Sequence, residues 1–236
     1  MMNKIIIDTD KYNLELREDT YLDIRNNGVI NLKVIIQEKI KLIILNNSYD
    51  VSINIELFDD TNIEINSLGL NGNINYKVIQ NNNTNLSIVS SIITKVDSIN
   101  KIDINQIGNN NITKFYTNGI NLSNEKLFFN IDGIIKKNVM NGYLEETSKI
   151  INLSDGDSKI IPNLIIDTKE VIANHSAFIG TFNNNDLNYL MSRGITKDIA
   201  YKLLIKSILL SNMKLDTNIF IKEISDYIGI GGEKIE

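Results

Sequence analysis

The chain of 236 residues contains no cysteine and no tryptophan, one histidine and one proline. Each absence removes a class of chemistry. Without cysteine there is no disulfide framework, and no thiolate with which this chain alone could hold zinc or an iron–sulfur cluster. One imidazole excludes a histidine-rich metal site within a protomer, and neither a Ser-His-Asp nor a Cys-His constellation can be built from spacing. A surplus of positive charge is also missing. With 24 Lys+Arg against 29 Asp+Glu the net charge is -5 and the pI about 5.1. That argues against sequence-independent nucleic-acid binding, which needs a clustered positive surface to neutralise phosphates. No apolar run is long enough for a transmembrane helix. The isoleucines Ile5, Ile6 and Ile7 follow Lys4 but are stopped by Asp8, too early for the apolar core of a secretion signal. The expectation is a soluble, cytoplasmic protein with neither a membrane nor a nucleic-acid partner.

What is present is a repeated alternation of apolar and polar residues. It runs through 51–57, 62–66, 74–79, 86–89, 101–105 and 127–131. A period of two puts one face of each strand into a core and the other toward solvent or a second layer. The runs recur roughly every 10–13 residues, which suits an all-β architecture. Between them lie Asn46-Asn47, Asp59-Asp60, Asn81 to Asn83, Asn109 to Asn111, Asn141-Gly142 and Asp155-Gly156, residue types that tolerate left-handed backbone and make side-chain turns. A β-sandwich and a parallel β-helix both fit this pattern. The scarcity of Asn-Gly and Asp-Gly pairs at two-residue hairpin positions favours stacked coils.

After residue 182 the period becomes helical. Asn185 or Asp186 is placed to cap a short helix bearing Leu187, Leu190 and Met191, with Arg193 in its last turn and Gly194 at its left-handed stop. Thr196 then caps a second helix whose apolar stripe is Ile199, Ala200, Leu203, Leu204 and Ile208, widened by Ile205, Leu209 and Leu210. Asp216 or Thr217 opens a third, through Ile219, Phe220 and Ile224, ending near Gly229. The division is 1–181 as a β core and 182–236 as a helical region. Gly229 to Lys234 has a faint phosphate-loop look but lacks the full spacing, and reads as a flexible terminus. Glu145-Glu146 forms no catalytic carboxylate pair and reads as solvated.

The stretch 141–210 carries a resemblance. In order it holds Asn152 to Gly156 (NLSDG), Ser158, Pro162 and Leu164, then Ile165, Ile166 and Asp167. His175, Ala177 and Gly180 follow, then Leu187, Tyr189 and Leu190, and finally Ser192 to Ile195 (SRGI). These pieces resemble the C-terminal core of the SufB/SufD family. The resemblance implies a right-handed parallel β-helix followed by a small C-terminal helical region. It implies pairing of two such subunits through the β-helix, with self or with a SufB-like chain. It also implies docking of a SufC-like ABC ATPase on the C-terminal helices, through Tyr189, Arg193, Gly194, Ile199 and Leu203.

The implied role is that of a non-catalytic scaffold in iron–sulfur cluster assembly, with ATP hydrolysis on the partner. The long N-terminal helical region of the family is absent from this sequence, so it reads as a shortened member. No cysteine precedes His175, which brings the chain closer to the SufD type, where the histidine is the implicated residue. His175 is then the implied cluster ligand at a subunit interface, with no cofactor held stably by this chain alone and a cluster present only transiently in the complex. Two other readings remain: a structural β-helix interaction module without cluster chemistry, and a carbohydrate-active β-helix enzyme, which would need catalytic residues aligned on one sheet.

Overall fold

The computed structural model describes residues 2–35, 37–214 and 218–229. Fifteen strands alternate between two parallel sheets. The odd sheet contains β1 (Asn3–Ile7), β3 (Thr20–Ile24), β5 (Lys39–Asn46), β7 (Asn62–Leu70), β9 (Asn85–Thr94), β11 (Ile112–Asn121), β13 (Gly142–Asn152) and β15 (Val171–Gly180), in that order. The even sheet contains β2 (Lys11–Leu16), β4 (Gly28–Val34), β6 (Asp50–Leu57), β8 (Asn73–Gln80), β10 (Ser98–Gln106), β12 (Leu127–Ile135) and β14 (Ser158–Ile166). One strand from each sheet makes a coil, so the chain is a parallel β-solenoid. The half-coil explains the sequence spacing: each apolar run is one wall, and its neighbour in the sheet lies two runs away.

Hydrogen-bonded columns make the coil length directly readable. Asn31 Nδ2 donates to Asn13 Oδ1 (2.7 Å) 18 residues earlier, and Asn54 Nδ2 to Asn31 Oδ1 (2.8 Å) 23 residues earlier. At one corner, Asn83 donates to Asp60, Asn110 to Asn83 and Asn141 to Asn110, over 23, 27 and 31 residues. Those four residues all have positive φ, between 55° and 65°. The corner needs a left-handed residue in every coil, and Asn or Asp supplies it at low strain while its side chain bonds to the coil before. Coils lengthen toward the C-terminus because the strands do, from five residues in β1 to eleven in β13.

Strict alternation fills most of the space between the sheets with apolar side chains: Leu22, Leu42, Ile65 and Ile88 from the odd sheet, Ile53, Val78, Ile104 and Phe129 from the even one, all fully buried. Pro162 lies in β14, the last strand of its sheet, where its missing N–H is tolerated. At that end of the solenoid the burial pattern loosens, and most of β15 is exposed.

Three residues after β15 the chain enters α1 (Asn184–Ser192), followed by α2 (Lys197–Leu209) and α3 (Asn218–Gly229). The cap of α1 is Asn183, earlier than the sequence suggests. Its side chain accepts from the Asn185 N–H (2.9 Å), which frees Asn185 and Asp186 to be helical. At the other end Gly194 (φ 85°) donates to Met191 O and Ile195 to Leu190 O, a Schellman stop. Thr196 precedes α2 as expected, but its side chain makes no capping bond. The expected cap of α3, Asp216 or Thr217, lies outside the described residues, as does the tail beyond Gly229.

Helices α2 and α3 lie on the outer face of the odd sheet. Ile205, Leu209, Phe220, Ile224 and Ile228 close a second core over Ile43, Leu45, Leu68, Ile93, Ile120 and Ile151. The Ser91 hydroxyl donates to Leu209 O (2.5 Å) and the Ser211 hydroxyl to Asn118 Oδ1 (3.2 Å), tying the end of α2 to the sheet. The apolar surplus of α2 therefore covers a sheet face and does not cap the open end of the solenoid.

Candidate functional site

Two places differ from the rest of the surface, and both lie near the C-terminal end. The first is the terminal part of the solenoid interior. One column of the odd sheet runs in register through Leu42, Ile65, Ile88, Phe115, Glu146 and His175. Its first four members are aliphatic or aromatic and fully buried. Glu146 continues the same inward face at 1% exposure.

Neither Glu146 oxygen has a hydrogen-bond partner among the described residues. Burial, with a smaller push from the nearby Asp132 charge, raises its carboxyl to about 8, so it is a neutral acid at pH 7. The space it occupies exists because position 133 is glycine. A Cβ there would come within 3.1 Å of Glu146 Oε1 and 3.0 Å of Leu144 and Leu164.

Expecting Glu146 to be solvated was wrong. The signal against it was period two itself: Leu144 and Ile150 face inward, and parity puts Glu146 between them. Its neighbour Glu145 faces outward, where the Tyr143 hydroxyl donates to it (2.7 Å).

His175 is the next rung. Val171 and Ala173 pack against the interior core, and the alternation carries His175 to the same face as Glu146. The outward neighbours confirm the parity, since the Ser176 hydroxyl donates to Thr147 Oγ1 (3.2 Å) and Lys149 sits 5.6 Å from the Phe178 ring. No further strand pairs with β15 among the described residues, and His175 is exposed. Among the described residues no three His, Cys, Asp or Glu side chains gather closely enough to hold a metal ion by themselves.

The second place is the outer side of α1 and α2. Ile205 and Leu209 of α2 pack on the sheet and Ala200 is also buried, while Ile199 and Leu203 are 50% and 43% exposed. The sequence stripe is thus split: Ala200 is buried and Ile208 half-buried, Ile199 and Leu203 are exposed, and Ile205 and Leu209, read as widening the apolar face, lie against the sheet. Tyr189 and Met191 of α1 are exposed as well, and the Arg193 guanidinium lies 5.4 Å from the Tyr189 ring. Tyr189, Arg193, Gly194, Ile199 and Leu203 are thus all at the surface, separate from His175 in the chain and carried by different elements.

Residues 100–208 match the family model described as SUF system FeS cluster assembly, SufBD core domain. The matched range contains β15 with His175 and the whole α1–α2 patch. Among curated proteins the chain is similar to the iron–sulfur cluster assembly protein SufD of Bacillus subtilis (strain 168), 36% identical over 90 residues. That alignment takes in 37% of this chain and 20% of the relative, so the chain spans about a fifth of the curated protein it matches. The last coils of the parallel solenoid, the strand that carries His175 and the exposed helices that follow it thus lie in the part of the chain, residues 100–208, that is similar to the SufBD core domain.

Proposed function

We propose that this protein is a SufD-like, non-catalytic scaffold of an iron–sulfur cluster assembly complex, working in the cytoplasm. The α1–α2 surface docks a SufC-like ABC ATPase, and the free edge of β15 pairs with a SufB-like chain or a second copy. The observation that carries the reading is the division of α2 into two apolar faces. One is consumed by the sheet. The other carries Ile199 and Leu203, which join neither core cluster among the described residues, and exposed Tyr189 and Met191 on α1 add apolar surface in the same region of the chain; an exposed apolar helical face is the usual form of a partner surface. Arg193 and Gly194 hold the α1–α2 corner that shapes it.

The edge supports the pairing. β15 has ten residues and no proline, its outer strand positions are unpartnered, and Ile172 and Phe178 are 59% and 52% exposed. An open strand of that length is a template for another chain. The companion edge strand β14 carries Pro162, which weakens it as a template.

Among the described residues no helix is long and apolar enough to cross a membrane. The chain offers no thiolate, so any cluster is shared with the partner and present only transiently. The same lack of a self-sufficient ligand set favours a second reading, a docking module without cluster chemistry.

The test is co-purification of the full chain with a SufC-like ATPase from the same cell. Binding that stimulates ATP hydrolysis and disappears in the Ile199→Asp, Leu203→Asp double variant is the expected result. A well-folded wild-type chain that fails to bind overturns the docking reading. ATPase binding with no iron in any form of the complex selects the second reading.

A further inference from the structure

The first coil leaves both sheets open. β1 and β2 are the outermost strands of their sheets at that end, and no strand lies beyond either among the described residues. The core shows there: Ile5, Tyr12 and Leu14 pack against the interior cluster but are only half-buried. The register identifies which backbone groups are free. The Val29 N–H donates to Asp10 O (2.9 Å), and Lys11 lies opposite Val29. In a parallel ladder alternate residues of a strand bond to the same neighbour. Asp10, Tyr12 and Leu14 therefore turn their backbone groups to β4, while Lys11, Asn13 and Glu15 turn theirs to the open edge. On β1 the Asn3 N–H donates to Asp19 O (2.9 Å) and Ile7 O accepts from the Arg25 N–H (2.9 Å), which leaves Lys4 and Ile6 free in the same way.

The side chains on this edge are ordered too. Lys11, Asn13 and Glu15 are exposed on the outer face of β2. Asn13 ends an asparagine column, accepting from Asn31 Nδ2 (2.7 Å). Neither β1 nor β2 contains proline, whereas β14, at the other edge of the even sheet, carries Pro162. A parallel pairing of two β2 strands in register would set lysine on lysine and glutamate on glutamate. An antiparallel pairing about Asn13 sets Lys11 against Glu15 on both sides of the centre, Asn13 against Asn13, and Tyr12 against Leu14 on the inner face.

We propose that the N-terminal end of the solenoid is a homodimer surface, on which a second copy of this chain pairs β2 with β2 and β1 with β1, antiparallel, about a two-fold axis normal to the sheets. Such a contact is isologous and closes on itself, so each open edge is consumed by its own copy. Lys11, Asn13 and Glu15 exchange N–H···O=C bonds across the axis. Glu15, already bonded to Arg17 (2.9 Å), gains a second cation from the other copy's lysine. The half-buried Ile5, Tyr12 and Leu14 of the two copies join into one core. This surface is at the opposite end from β15, and the inference is independent of the scaffold reading.

The experiment is the solution mass of the full chain by size exclusion with light scattering, over a wide concentration range. Wild-type protein is expected to be a dimer. Asn13→Pro removes an edge-facing N–H and none of the bonds to β4, and Glu15→Lys sets lysine against lysine; both are expected to give monomers. Lys11→Glu combined with Glu15→Lys exchanges the charges and is expected to restore the dimer. Circular dichroism and thermal melts establish that each variant is folded.

A wild type that stays monomeric throughout overturns the inference, as does a dimer whose mass Asn13→Pro leaves unchanged. Ala173→Pro on β15 separates the two ends: a dimer lost there and kept in Asn13→Pro uses the β15 edge, which also overturns it. Failure of the charge exchange to restore a dimer that Glu15→Lys had dissociated overturns the antiparallel register.

Discussion

Leu42, Ile65, Ile88 and Phe115 occupy the same column as Glu146 and His175, yet the two groups do opposite things. The first four stack apolar surface, and each rung is stabilised by the one above and below. The last two interrupt that stacking with a carboxylic acid and an imidazole. Thr117 and Thr113, polar groups elsewhere in the interior, are hydrogen-bonded to Ser148 and Gln80, whereas in this column the polar exception comes at the end and its acid has no partner among the described residues.

The comparison is broken most forcefully by pH. Glu146 is held near 8 when folded and titrates near the ordinary carboxyl value when unfolded. Below about pH 4.5 both states keep the proton and the folded state gains its full advantage. As pH rises toward 8 only the unfolded chain releases it, so stability falls across that window, by at most about 4–5 kcal/mol. Urea melts from pH 5 to 9 in metal-free buffer should show this slope, and Glu146→Gln should flatten it and be the more stable protein at pH 8.

Next in size are the hydrophobic rungs. Ile65→Ala should cost about 2–5 kcal/mol with no pH dependence, as should Leu209→Ala beneath α2, both read by denaturant midpoint. A smaller effect is expected at the left-handed corner. Asn110→Ala loses the bonds to Asn83 and Asn141 and strains a φ of 58°, for about 1–2 kcal/mol, whereas Asn110→Gly relieves the strain and isolates the bonds. Smallest of all, Ile199→Asp with Leu203→Asp should leave stability within about 0.5 kcal/mol, because both side chains already face solvent. A large destabilisation by that pair would erase the distinction between the two faces of α2.

Much of this was legible before any coordinates. Period two fixes which residues of 51–57 or 127–131 share a face, and the Asn-rich breaks mark the corners. Alternation cannot say which strand lies beside which, since a hairpin and a coil have the same local period; the family-like stretch 141–210 carried that choice. The cap of α1 was displaced because several adjacent asparagines can accept from the first turn, and local chemistry does not choose between Asn183 and Asn185. The docking face of α2 was only partly legible because apolar residues surround most of the helix, and only the sheet beneath decides that Ile205 and Leu209 are covered while Ile199 and Leu203 are exposed. Glu146 was missed by reading the pair Glu145-Glu146 as a unit, when neighbouring strand residues have opposite surroundings.

The connection from β15 to α1 is three residues, Thr181 to Asn183. A tether that short stores almost no slack. Any pull on α1 is delivered as tension to the end of the strand that carries His175, and the load meets the last rung of the ladder before any other. In a solenoid each coil answers chiefly to its nearest neighbours, so such a pull peels from the end as a zip opens, leaving the aliphatic coils behind it closed.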